Sequence, residues 1–163
     1  MKENELKVVN IRLVKEPSVY GDKAIRTPQD AAEIMAKELS QYDREVFCIL
    51  NLKSDSHVIN MNIVSVGTLN ASMVSPREVF KSSILSNAAG VIALHNHPSG
   101  NLSPSNEDIV VTKRLQECGD LLDIKLVDHI IVGGNEGRIY SMKGEGDMDE
   151  PTKNRSRDRE WER

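Results

Sequence analysis

A short apolar segment in the middle of the chain runs directly into two histidines. Gly90 to Leu94 is apolar and partly β-branched, which predicts a buried strand that continues through His97. Because side chains of a strand repeat with a period of two, His95 and His97 would lie on one face, and Asn96 between them would point away. Two imidazoles on one face can bind the same cation. This segment therefore predicts a strand that ends in part of a metal site.

The residues that follow predict a loop and then a helix that completes the site. A turn-rich loop leads to Ser105, where a helix would start, and Asp108 would lie in its first turn and face the strand end. Two imidazole nitrogens and one carboxylate, with one position left for water, are typical of catalytic zinc. Neither Cys48 nor Cys118 has the spacing to close the site as a fourth ligand.

A structural role explains part of the same pattern. Ser105 and Asp108 have the spacing of a capping box, in which each side chain binds the backbone amide of the other at a helix start. A cap alone leaves two histidines at the end of an apolar strand without partners. Because a helix cap can also fix the direction of a metal ligand, the two interpretations are compatible.

Local signals predict most of the other elements. The segments 27–30 and 75–78 each predict a helix that starts with proline and a capping box. Gly119 fits a C-terminal cap after a helix from about Ser105 to Cys118. A lone histidine in an apolar strand is usually a core residue, so His129 is not expected to be a ligand. Two pairs of neighbouring strands are also predicted, namely 45–52 with 58–66 and 126–132 with 138–141.

The histidine segment and its neighbours resemble the JAMM motif of MPN (JAB) domain metallohydrolases. The resemblance rests on His95, His97, Ser105 and Asp108 at the spacing of that motif, together with a glutamate on an earlier strand, which matches Glu45. Four segments, in the order of the family, resemble its RadC branch: Gly67-Thr68-Leu69, Pro76-Arg77-Glu78-Val79-Phe80, His95-Asn96-His97-Pro98-Ser99-Gly100 and Asp128-His129-Ile130-Ile131-Val132-Gly133.

This resemblance covers about Thr27 to Met142 and implies a fold class. The expected fold is α/β, with a mixed sheet flanked by helices in the three-layer, cytidine-deaminase-like architecture of MPN/JAB domains. Residues 27–142 would form that domain, and residues 1–26 an N-terminal extension with a predicted strand. The composition of residues 143–163 predicts a charged, disordered or loosely helical tail. Longer RadC proteins carry an N-terminal helix-hairpin-helix region, for which this chain has no room, so a short form is expected.

The resemblance also implies an activity and the roles of site residues. It implies a hydrolase with one zinc ion per chain, bound by His95, His97 and Asp108, and an amide or isopeptide bond in a peptide or protein as substrate. The matching glutamate of the family binds the reacting water, so Glu45 is expected to act as general base and then as general acid. From its position alone, Glu45 would be a strand-end residue facing solvent. Ser105 matches the family residue that donates a hydrogen bond to the reacting oxygen, although it could serve only as the helix cap.

Composition bears on the competing functions. The chain has 163 residues, enough for one domain with a core. Its formal net charge of -4 disfavours a broad electrostatic contact with nucleic acid. A DNA-repair-associated nuclease or accessory protein, the traditional role of RadC proteins, is therefore the alternative function. A non-enzymatic interaction module is a third hypothesis, which the complete ligand set disfavours.

Sequence signals also predict a cellular compartment. The N-terminal residues lack the apolar segment of a signal peptide, and no apolar run approaches membrane-spanning length. Cys48 lies in a predicted buried strand and Cys118 near a helix end, so both are expected to be reduced thiols. A cytoplasmic protein without membrane contact is expected.

Overall fold

A mixed sheet of five strands carries the fold. The computed structural model describes residues 24–39, 42–67, 74–133 and 137–149. Its elements are α1 (Pro28–Leu39), β1 (Val46–Leu52), β2 (Val58–Val66), α2 (Pro76–Leu85), β3 (Gly90–His97), α3 (Asn106–Leu122), β4 (Lys125–Gly133) and β5 (Arg138–Ser141). The strand order is β2-β1-β3-β4-β5. Strand β3 runs parallel to β4, whereas the other three neighbouring pairs are antiparallel.

Helices cover both faces of the sheet, because the central strands bury side chains on both sides. On one face, Cys48 and Leu50 of β1 belong to a core cluster with Met35 of α1. On the other face, Phe47 and Ile49 belong to a second cluster with residues of α2 and α3. Each large apolar side chain buried in this way stabilises the fold by about 1.5–3 kcal/mol. The helix–sheet–helix arrangement confirms the predicted α/β class and is consistent with a JAB fold.

Helices α1 and α2 differ in whether the predicted capping box forms. In α1, the Thr27 hydroxyl accepts a hydrogen bond from the amide of Asp30 (3.2 Å), and the Asp30 carboxylate accepts one from the amide of Thr27 (2.9 Å). The capping box predicted there is confirmed. The box predicted for α2 is wrong, because the Ser75 side chain makes no capping bond among the described residues and Glu78 binds the ammonium of Lys81 instead (3.0 Å). An exposed carboxylate can bind a lysine one turn further along the helix instead of a backbone amide at the helix start.

The end of α3 also differs from the prediction. The helix continues past Gly119 to Leu122, and Asp123 in a left-handed conformation (φ 58°) ends it. Gly119 is buried inside the helix, where an added Cβ would lie only 2.4 Å from the carbonyl oxygen of Ile124. The glycine is therefore explained by the close approach of the chain that leads into β4, and the predicted cap at this position is wrong.

The described part of the predicted tail is ordered. Residues 142–146 form turns, and Met148 packs against the second core cluster. The side chain of Gln116 binds both the amide and the carbonyl oxygen of Asp149 (3.2 and 3.1 Å). The tail thus begins with fixed contacts rather than as the loose segment that its composition predicted. The predicted strand from Leu6 to Val14 and the remainder of the tail, 150–163, lie outside the described residues.

Among the described residues, every helix is too short or too polar to cross a membrane.

Candidate metal site

The three predicted ligands lie together at the end of the central strand. His95 and His97 end β3, and Asp108 lies in the first turn of α3. The Nε2 atoms of the two histidines are 2.9 Å apart. The Asp108 oxygens lie 3.3 Å from Nε2 of His95 and 3.4 Å from Nε2 of His97. His95 and Asp108 are buried and His97 is nearly so, which makes this group a candidate site for a metal ion.

Ser105 fixes the carboxylate of Asp108 through a capping box. The amide of Ser105 donates a hydrogen bond to Oδ2 of Asp108 (2.7 Å), and the amide of Asp108 donates one to Oγ of Ser105 (3.1 Å). The helix cap and the candidate metal ligand, both expected from this spacing, thus involve the same residues. The helix cap thus also sets the direction in which the carboxylate faces the two histidines.

The loop between β3 and α3 orients the ring of His97. Nδ1 of His97 lies 2.5 Å from the carbonyl oxygen of Asn101. A carbonyl oxygen can only accept, so Nδ1 carries the proton and Nε2 faces the site. The guanidinium of Arg138 binds the carbonyl oxygen of Gly100 (3.2 Å) and ties the loop to β5. Gly133 allows the loop to lie close to the end of β4, since an added Cβ at this glycine would lie 2.5 Å from the side chain of Leu102.

Glu45 shares a cavity with the candidate ligands. It directly precedes β1 and is half-buried. The cavity measures about 540 Å³, a volume typical of small-molecule sites. The residues that line it all have polar side chains, namely Glu45, His97, Ser99, Asn101, Ser103, Ser105, Asn106, Glu107 and Asp108. The structure therefore brings the predicted base and two of the three predicted ligands, His97 and Asp108, to one opening.

Asn96 explains why Glu45 lies there. Its side chain points away from the ligands, as predicted, and reaches the start of β1. Oδ1 of Asn96 accepts a hydrogen bond from the amide of Val46 (2.7 Å), and Nδ2 donates one to the carbonyl oxygen of Arg44 (3.1 Å). These two residues flank Glu45. The asparagine between the histidines thus fixes the backbone that carries the predicted base.

Replacement of Asn96 by leucine is expected to separate metal binding from base placement. The variant removes the partner of the buried amide of Val46, and an unpaired buried group costs about 1–3 kcal/mol. It also releases the carbonyl of Arg44, which belongs to an exposed residue. We expect lower thermal stability and slower hydrolysis, with zinc affinity changed much less. Thermal unfolding and zinc titration of the same preparations measure the difference. Full stability and full activity in Asn96→Leu would contradict this role.

Charge stabilises the contacts between the candidate ligands. Burial alone would raise the pKa of Asp108, but the imidazoles of His95 and His97 beside its carboxylate outweigh this effect and hold that pKa well below its usual range. The hydrogen bond to Asp108 in turn raises the pKa of His97 against the effect of burial. The carboxylate is therefore ionised, and positive charge is favoured between it and the imidazoles.

These donor atoms are ones that could bind a metal ion. Tetrahedral zinc with bonds of about 2.0–2.1 Å to nitrogen and oxygen holds its ligand atoms about 3.3 Å apart. The distances of 3.3 and 3.4 Å between the imidazole nitrogens and the two oxygens of Asp108 match this spacing, whereas the two nitrogens, 2.9 Å apart, lie closer together. Neutral imidazole and carboxylate are also ligands that zinc prefers.

His129 is the residue of this region that the sequence analysis missed. It was predicted to be a core histidine, and it is fully buried, but Nε2 of His129 lies 2.7 Å from Nδ1 of His95. Strand β4 runs parallel to β3, with His129 beside Ala93 and on the face of His95. The sequence alone does not show which strands are neighbours, so no local pattern could have identified this contact.

The fold and the site together define a JAB-type domain with a candidate metal site. A family model described as "RadC-like JAB domain" matches residues 25–147. The chain belongs to this RadC-like JAB domain family.

Curated relatives support the assignment. A UPF0758 protein of Shouchella clausii is 50% identical over 122 residues, which cover 75% of this chain and 52% of the relative. One from Desulfitobacterium hafniense is 46% identical over 79% of this chain and 58% of the relative. One from Methanosarcina mazei is 45% identical over 82% of this chain and 56% of the relative. The chain thus spans about half the length of these relatives, and their names state no activity.

Proposed function

We propose that the protein is a zinc-dependent hydrolase of the JAMM type that cleaves an amide or isopeptide bond. One observation carries the proposal: the ligand atoms of His95, His97 and Asp108 lie within 4.8 Å of one another, and His97 and Asp108 line a cavity together with Glu45. A binding site alone would need only the three ligands. The carboxylate of Glu45, a second one beside that of Asp108 in this cavity, supplies the acid–base group that hydrolysis requires.

Each site residue has a distinct role in the proposed reaction. His95, His97 and Asp108 would hold the zinc ion, which would lower the pKa of a bound water toward neutrality and stabilise negative charge on a carbonyl oxygen. The carboxylate of Glu45 accepts a proton from the attacking water and delivers it to the leaving nitrogen. The hydroxyl of Ser105 accepts the cap bond from the amide of Asp108, and such a hydroxyl can still donate one bond to the developing oxyanion.

The cavity lining favours a peptide or protein substrate. Hydroxyl and amide side chains, among them Ser99, Asn101, Ser103 and Asn106, offer both donors and acceptors to a polypeptide backbone.

We place the proposed activity in the cytoplasm. The two cysteines are free, as expected of an enzyme in that compartment.

The alternative function in DNA repair receives less support from the same lining. Apart from His97, the ionisable side chains that line the cavity are Glu45, Glu107 and Asp108. A phosphate backbone would meet three carboxylates there, in a chain that is already acidic overall. Salt-dependent binding of DNA, or cleavage of DNA without cleavage of peptides, would favour this alternative over ours.

A metal-free preparation titrated with zinc tests the proposal. We expect one equivalent of zinc per chain, removable by a chelator, and hydrolysis of peptide or lysine-isopeptide substrates that returns when zinc is restored. Mass spectrometry of a mixed peptide and isopeptide library identifies the cleaved bond. The absence of stoichiometric zinc binding would contradict the proposal.

A further inference from the structure

His129 is a buried polar residue to which the proposed reaction gives no role. It lies in the middle of β4 and is fully buried, together with Thr112 of α3. Its backbone is held on both sides, since its amide binds Oδ1 of Asp128 (2.7 Å) and its carbonyl accepts from the amide of Met142 (3.0 Å). The ring of His129 therefore occupies a fixed position behind the candidate metal site.

A chain of short hydrogen bonds links this ring to two ligands. Nδ1 of His95 lies 2.7 Å from Nε2 of His129, and Nδ1 of His129 lies 2.5 Å from Oγ1 of Thr112. The same hydroxyl lies 2.6 Å from the carbonyl oxygen of Asp108 and 3.4 Å from the sulfur of Met142. The path thus runs from one candidate ligand to the backbone of another.

The hydroxyl of Thr112 decides the direction of donation along this path. Its single proton can go to the carbonyl of Asp108 or to Nδ1 of His129, and the carbonyl, 2.6 Å away, can only accept. With the proton donated to the carbonyl, the hydroxyl oxygen accepts from Nδ1 of a neutral His129. Nε2 of His129 is then an acceptor, so Nδ1 of His95 donates in turn. Nε2 of His95 then carries a lone pair and faces the metal position.

Phe47 shields this path from competing partners. Its ring stacks on His95 with the centroids 6.2 Å apart and an interplanar angle of 20°. It meets His129 edge-on at 5.5 Å. Phe47 is fully buried, so the two imidazoles bind each other in an apolar environment, where a hydrogen bond is stronger than in water.

We propose that His129 is a positioning residue which, together with Thr112, holds His95 in the tautomer that binds metal through Nε2. The proposal rests on the proposed metal site and deepens it. The second histidine ligand obtains the same tautomer from a backbone carbonyl, that of Asn101. His95 cannot use a loop in this way because it lies inside the sheet, and a side chain of the neighbouring strand takes the place of the carbonyl.

The tautomer of His95 in metal-free protein tests the direction of the path. Nitrogen-15 NMR distinguishes a proton on Nδ1 from one on Nε2, and we expect Nδ1–H in the wild type at neutral pH. Thr112→Ser keeps the hydroxyl and should keep this tautomer. Thr112→Val removes the hydroxyl and should populate Nε2–H. A wild-type ring protonated on Nε2 alone, or equal tautomers in the two variants, would overturn the proposal.

Zinc affinity gives a second readout that a packing role would not reproduce. His129→Leu fills the space without an acceptor and is expected to weaken zinc binding about 10–100-fold. His129→Gln places an amide near the position of Nε2 and should restore most of that loss. Equal weakening by leucine and glutamine would reduce His129 to a packing residue and overturn the proposal.

The two readouts separate this inference from the proposed function. Wild-type protein with His95 protonated on Nδ1 that binds no zinc would contradict the proposed hydrolase and leave the proton path supported. If the wild type binds zinc but the tautomer of His95 is unchanged in Thr112→Val and the zinc affinity is unchanged in His129→Leu, the metal site is supported and the proton path is contradicted.

Discussion

Glu45→Gln is expected to lower the rate of hydrolysis by about 10²–10⁴-fold while zinc content stays at the wild-type level. The physical reason is the loss of the proton acceptor: glutamine keeps the size of the side chain but cannot take a proton from water. Glu45 lies at the start of β1, outside the three-residue ligand group, so metal binding should not depend on it. Turnover assays measure the rate of hydrolysis, and elemental analysis of the same preparation measures the zinc content.

A matched control distinguishes this effect from the loss of any negative charge. Glu117 is exposed on α3 and is not among the residues that line the cavity. Glu117→Gln makes the same chemical change and should leave both turnover and zinc content unaltered. Wild-type turnover in Glu45→Gln would remove this residue from the mechanism, and loss of zinc would indicate that it is a ligand instead.

Asp108→Asn is expected to abolish stoichiometric zinc binding. We expect the affinity to fall more than about 100-fold, the upper end of what loss of an outer hydrogen-bond partner of a ligand costs. The carboxylate supplies the only negative charge in the ligand group, whereas an amide is neutral. Competition with a chromophoric chelator measures the change. The amide oxygen of asparagine can still accept the bond from the amide of Ser105, so the helix should remain capped.

Ser105→Ala separates the two roles of this helix start. It removes the hydroxyl that caps the amide of Asp108 and should cost about 1 kcal/mol of stability. The three ligands remain, so zinc should still bind with an affinity far closer to wild type than that of Asp108→Asn.

Equal zinc affinity in Asp108→Asn and the wild type would remove Asp108 from the ligand group.

The ligand group was accessible from sequence because its geometry is local. His95 and His97 need only the period of a strand to share a face, and Asp108 needs only a helix start at Ser105. Short loops and capping boxes fix such relations over about ten residues, without reference to the rest of the fold. The overall α/β class followed from the family resemblance, and the paired strands from their turn and strand signals.

The contacts that escaped prediction depend on how the chain folds. His129 meets His95 only because β4 lies beside β3, and the two residues are 34 positions apart. Gly119 is explained by the backbone at Ile124, and Ser75 has the sequence of a capping residue, yet Glu78 binds Lys81 instead. These last two neighbours are close in sequence, but the sequence does not show which of several local contacts will form.

The order of strands in the sheet has a consequence for synthesis of the protein. Strand β3 lies between β1, made earlier, and β4, which the ribosome completes only after the whole of α3. A growing chain therefore presents His95 and His97 before Asp108 and His129 exist, with a pair of histidines but no carboxylate to complete the site. Zinc that binds only the finished domain would stabilise it by mass action, by about 2.7 kcal/mol when free zinc is 100-fold above the dissociation constant. Under the proposed function, the supply of zinc in the cell would then influence how long each folded molecule survives.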